Sequence, residues 1–174
     1  MDKFTYEDEE YVYHNGKFYS AGYVELSKQV LDKVSKYYFS SIDYTTMTES
    51  ELVEFAVTLK DNGLYQQSIY IIENHMLQNP NNTDFIRQTV ATLTSNYRLM
   101  GNYKKAIVIG SSFVQMAKYI TVPLLTSLAA AYCDDKDYVK AKKYADMAYA
   151  RQGGGKGYMN ELSLVYKRIE KETR

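Results

Sequence analysis

The side chains in this sequence with chemistry to offer are few: one cysteine, two histidines, a glycine-rich run and a short acidic run. Cys133 is the only thiol, so no disulfide closes within the chain, and with only His14 and His75 beside it the set is too small for a structural zinc site. A lone thiol is either a nucleophile on an accessible surface or a small apolar filler of a helix contact, and Cys133, in the apolar run 122–134, fits the second role. The histidines fall in unrelated elements, and no paired-carboxylate, Cys-His or metal-ligand spacing stands out, so the expectation is a protein that is not an enzyme and needs no metal or cofactor. The run Gln152-Gly153-Gly154-Gly155-Lys156-Gly157 has the flavour of a phosphate loop. It follows a helix, lacks the leading glycine spacing and has Gly157 where Ser or Thr would bind magnesium, so it reads as a plain loop.

Composition narrows the remaining classes. The 174 residues balance 21 acids against 21 bases, so no overall field draws the chain to nucleic acid or to an anionic membrane. The length suffices to bury a core without metal or disulfide help. The opening MDKFTYEDEE is acidic where an export signal would be basic and apolar, and charged or amide residues interrupt every hydrophobic stretch, so a cytoplasmic protein with no membrane span is expected. Nineteen tyrosines, with many Lys, Asn and Ile, are consistent with a compositional bias rather than a function.

Self-similarity supplies the elements. Gly63-Leu64-Tyr65-Gln66-Gln67-Ser68, Gly101-Asn102-Tyr103-Lys104-Lys105-Ala106 and Lys136-Asp137-Tyr138-Val139-Lys140-Ala141 share Tyr-x-x-small, with the tyrosines 38 and 35 residues apart. Ahead of each lies the same helical apolar pattern: Leu52, Phe55, Ala56, Leu59; Val90, Leu93, Thr94, Tyr97; Leu125, Leu128, Ala129, Tyr132. Helices are expected near 49–62, 65–78, 83–99, 103–118, 121–134 and 138–151. Thr48 with Glu51 reads as a capping box, Asn102 and Asp137 as N-caps, and Pro123 sits in a first helical turn where it loses no hydrogen bond. Helices of a pair approach closely only where side chains are small, so Ala56, Thr94 and Ala129 should face Ser68, Ala106 and Ala141.

Over residues 48–151 this pattern resembles the tetratricopeptide repeat, in divergent form: no copy has tryptophan at its first large position, Gly110 stands where a bulky residue is usual, and only the first copy ends in proline, Pro80. The resemblance implies an all-α fold, a right-handed α-solenoid of three helix pairs with a C-terminal capping helix, over a domain spanning 46–174. A plain antiparallel helical bundle is the alternative. The rear helix is indicated by the stripe Tyr158, Leu162, Val165, Tyr166 and Ile169, with Lys167, Arg168, Glu170, Lys171 and Glu172 on its other side. Residues 1–45 lie outside the repeat. Asn15-Gly16 between aromatic runs marks a β-hairpin with a type I′ turn, and from about Ser20 a helix follows with Leu26, Val30, Leu31, Val34, Tyr37 and Tyr38 on one stripe, placed to cap the front of the array. The hairpin either docks on a helix within the chain or pairs its edge with a second copy as a homodimer.

In a repeat array of this family the first helices line a concave groove that holds a peptide or helix of another protein. Carried over residue by residue, the resemblance implies a groove formed by Val53, Glu54, Val57, Lys60 and Asp61, then Ala91, Thr92, Ser95, Arg98 and Leu99, then Thr126, Ser127, Ala130, Cys133 and Asp134. The anion clamp of the chaperone-binding subclass is absent, since Val53, Val57, Ser95, Thr126 and Ala130 occupy its places. Lys60 and Arg98 hold equivalent positions and are either a basic pair for an acidic partner or two solvated charges. The acidic arm Glu7-Asp8-Glu9-Glu10 is a further candidate occupant of the groove. The expected function is therefore that of a protein-interaction module, adaptor or chaperone, similar in layout to the small chaperones of bacterial type III secretion. The alternative is a bacterial or phage regulator that binds a folded enzyme or a nucleic-acid machine.

Overall fold

The computed structural model describes residues 1–153 and 160–173. The chain opens with β1 (Asp2–Tyr6), β2 (Glu9–His14) and β3 (Lys17–Ser20), a three-stranded antiparallel meander, followed by α1 (Lys28–Ser40). Asn15 and Gly16 both take positive φ in the two-residue turn that pairs His14 with Lys17, as the Asn-Gly signal predicts. The expected hairpin is nonetheless a sheet of three strands. Glu7 and Asp8 also take positive φ, at 49° and 64°, and turn β1 back onto β2 with Tyr6 opposite Glu9. Glu-Asp is a poor sequence signal for such a turn; the aromatic face compensates. Phe4, Tyr13 and Phe18 share one side of the sheet and stack on α1, with Phe4 4.8 Å and Tyr13 4.9 Å from Tyr38, and Phe18 5.5 Å from Phe39.

Docking within the chain thus satisfies one face of the sheet. Helix α1 covers β1 and β3, and its Phe39, 6.0 Å from Phe55, also reaches the next α-helix. The helix begins at Lys28 rather than near Ser20, because residues 21–27 run back beside β3 with Glu25 bridging Tyr19, and Ser27 accepts from the Val30 amide as N-cap.

Six helices then follow in three hairpins: α2 (Glu49–Asp61) with α3 (Tyr65–Gln78), α4 (Thr83–Leu99) with α5 (Tyr103–Val114), and α6 (Val122–Asp134) with α7 (Tyr138–Arg151). The Thr48–Glu51 capping box forms, Asn102 and Asp137 cap as expected, and Pro123 lies in the first turn of α6. The three turns are built alike. Leu64, Asn102 and Asp137 each donate a backbone bond to the carbonyl five residues earlier, at Leu59, Tyr97 and Tyr132, while Gly63, Gly101 and Lys136 sit between at positive φ. These are Schellman ends, and Lys136 holds without glycine the same left-handed position, at φ 64°. α5 stops at Val114, short of the expected 118; a 3₁₀ turn at Ala117–Tyr119 then buries Tyr119 edge-on to Phe113 at 5.2 Å.

The six small residues expected between paired helices are all fully buried. Gly110 has a packing reason: a Cβ there would lie 3.0 Å from Leu128 Cδ1 and 3.2 Å from Thr94 Cγ2, so the missing side chain is what lets α5 approach α4 and α6. A neighbour relation repeats along the chain. α2 lies against α3 and α4, α4 against α5 and α6, and α6 against α7 and α8 (Asn160–Glu172). α8 buries Leu162, Val165 and Ile169, so the expected stripe is the packed one; Tyr158 and most of the glycine run lie outside the described residues.

Candidate partner-binding face

α4, α6 and α8 come together around a recess of about 410 Å³, large enough for one or two side chains. Of the groove residues expected from sequence, Ser95, Arg98, Thr126, Ser127 and Ala130 line it. The other wall is α8, which contributes Glu161, Leu164, Val165, Lys167, Arg168 and Lys171. Those α8 residues were missed because the sequence assigns the charges of this helix to an outer, solvated side. The legible signal was the spacing of Leu164, Lys167, Arg168 and Lys171, three and four apart on one face.

The remaining expected residues do not line this recess. Val53 and Val57 are half-buried and Glu54 and Leu99 exposed, whereas Thr92 is buried among its neighbours. Lys60 and Arg98 do not act as a free basic pair: Lys60 lies 3.2 Å from its neighbour Asp61, and Arg98 Nη1 is 3.1 Å from Asp134. Cys133 is corrected from a groove residue to a core one. It is 2% exposed, and burial pushes its thiol above the ordinary value, which disfavours the reactive thiolate. His75 packs its ring 4.1 Å from Phe85 and sits 3.4 Å from Glu49.

The acidic arm is likewise not a loose strap. Glu7 and Asp8 make the β1–β2 turn, Glu9 and Glu10 belong to β2, and the Tyr6 and Tyr11 hydroxyls donate to Glu7 and Glu9 at 2.9 and 2.8 Å.

Asp134 holds the recess together. Its carboxylate accepts from Arg98 of α4 at 3.1 Å and from Arg168 of α8 at 2.5 Å, so one anion at the end of α6 ties both flanking helices. Two guanidinium groups share one carboxylate, and Arg98 Nε is buried with no hydrogen-bond partner among the described residues. Lys167 and Lys171 add two more cations, against the single further acid Glu161. A second recess of equal volume, between α1, α2 and α3, is lined by Phe39, Ile42, Tyr44, Phe55, Tyr70 and Ile71 among others, and carries no charged side chain.

Among the described residues no cluster of His, Cys, Asp or Glu is arranged to hold a metal ion, and no helix is long and apolar enough to cross a membrane. Searches of protein-family models, of curated proteins and of solved structures return no match to this chain.

Proposed function

We propose that this chain is a protein-interaction module, a divergent tetratricopeptide-like array whose helix pairs stack as a right-handed solenoid, and that the face formed by α2, α4, α6 and α8 holds a segment of another protein as an adaptor or chaperone does. One observation carries the reading: Ser95, Arg98, Thr126 and Ala130, assigned to a groove from repeat positions alone, meet in one recess. The three like-built turns at 59–64, 97–102 and 132–137 support the repeat, and the recurring neighbour relation supports stacking rather than closure around a common centre. Small and hydroxylic side chains on the floor leave room for an incoming side chain, while Leu164 offers an exposed apolar contact.

The test is affinity capture from the source cell with the intact chain and with a blocked variant, Val57→Trp with Leu164→Trp. Neither residue is fully buried, so the melting temperature should hold. A partner captured by the intact chain and lost by the blocked one is the expected result. Capture that survives blocking overturns the assignment of this face.

A further inference from the structure

The recess between α4, α6 and α8 is built unlike the rest of that face. Arg98, Lys167, Arg168 and Lys171 line it with Glu161 as the one acid among its described lining residues, and Asp134 behind it pairs with the two arginines, so the lining is strongly cationic in a chain whose net charge is zero. The Ser95 and Ser127 hydroxyls line the same recess and make no hydrogen bond to another described residue. Arg98 Nε is a buried donor without a partner. A buried guanidinium donor without a partner, two open hydroxyls and a cluster of cations suit an anionic acceptor.

We infer that the partner segment held in this recess is acidic, a stretch of protein that places an Asp or Glu carboxylate beside Arg98 and Arg168 and runs its backbone past Lys167 and Lys171. This rests on the interaction reading above and narrows it to one chemistry. Arg98 and Arg168 are pre-positioned, because Asp134 fixes both side chains and thereby removes part of the ordering cost of binding. Leu164, 58% exposed between Glu161 and Lys167, suits an apolar residue next to the acid. A nucleic-acid strand fits less well, since Glu54, Asp61 and Asp84 elsewhere on α2 and α4 would repel a continuous phosphate backbone, and the recess admits side chains rather than a strand. The chain's own acidic turn at Glu7–Glu10 is folded into the sheet and is not free to fill the recess, which favours an acid from another molecule.

The test is fluorescence anisotropy with labelled poly-glutamate, poly-glutamine and poly-lysine of one length, and with an oligothymidylate, against the intact chain and against Lys167→Glu with Lys171→Glu. Both lysines are exposed, so this variant should fold. Poly-glutamate is expected to bind best, to weaken as salt is raised, and to lose about tenfold in affinity on double charge reversal. Equal binding of poly-glutamine, indifference to the charge reversal, or tighter binding of the oligothymidylate overturns the inference. So does a dimer, seen by light scattering, that dissociates on the same reversal, because the occupant is then a second copy. If poly-glutamate fails while the Trp-blocked variant still loses its captured partner, the acidic assignment falls alone; capture that survives blocking removes the wider reading too.

Discussion

Asn96 in α4 donates from Nδ2 to the Ser68 hydroxyl in α3 at 2.7 Å, and both side chains are wholly buried. The Ser68 proton is already committed to the Ala56 carbonyl in α2, also at 2.7 Å, so Ser68 has only a lone pair to offer and Asn96 must present its NH₂. Three helices of two successive hairpins are thereby joined by one hydroxyl. Ser68→Ala should cost about 1–3 kcal/mol in urea denaturation, the penalty for stranding a buried amide donor. Adding Asn96→Ala should cost less than the sum of the two single changes; strict additivity would show that the bond does not form.

Gly110 separates packing from propensity. Gly110→Ala gains about 1 kcal/mol of helix propensity but presses a methyl against Leu128 and Thr94, which costs a similar amount, so little net change is expected. Gly110→Leu, which forces a full side chain into the same contact, should destabilise by about 3 kcal/mol or more. Thermal melts of the two variants decide it, and a stabilising Gly110→Leu would mean that α5 does not approach α4 and α6 this closely.

Acid should loosen the array at its caps. Backbone and hydroxyl bonds from Thr48 hold the Glu51 carboxyl below its ordinary range, the Asn82 amide does so for Glu49, and Lys140 for Asp137. A carboxyl lowered in the folded state contributes stability above its unfolded value, about 4 for these groups, and that contribution fades as pH falls through the lower folded value. Melting temperature should therefore be level near neutral pH and drop below about pH 4. Thr48→Ala should cost about 1 kcal/mol near neutrality, and Glu51→Gln should flatten the acid limb. An unchanged acid limb in Glu51→Gln would contradict the capping box.

Cys133 should behave as a core thiol. Alkylation by iodoacetamide near pH 8 is expected to be far slower in the folded chain than in urea, because burial both shields the sulfur and raises its proton affinity. Equal rates would return Cys133 to an accessible surface.

Much of the helical layout was legible because it is written in local chemistry. Thr48, Asn102, Asp137 and Pro123 mark helix starts, Gly63 and Gly101 mark ends, and α3, α4 and α7 occupy the expected spans. The rest depended on contacts made far along the chain. β1 was hidden because Glu7-Asp8 is a weak turn signal, and only the packing of Phe4 and Tyr6 against Tyr37 and Tyr38 makes it a strand. Half of the recess was hidden for a related reason. A basic stripe such as Lys167, Arg168 and Lys171 reads as solvated until Asp134, more than thirty residues away in sequence, is brought to 2.5 Å from Arg168.

The proposed binding face can be tested directly by placing a photo-crosslinking phenylalanine analogue at Leu164, in the recess, and separately at Val139 on α7, which is 84% exposed and lines no part of it. Irradiation in the source cell should yield a covalent partner adduct from position 164 and none from position 139. Adducts from 139 alone, or equally from both, would contradict recognition at the α4, α6 and α8 recess.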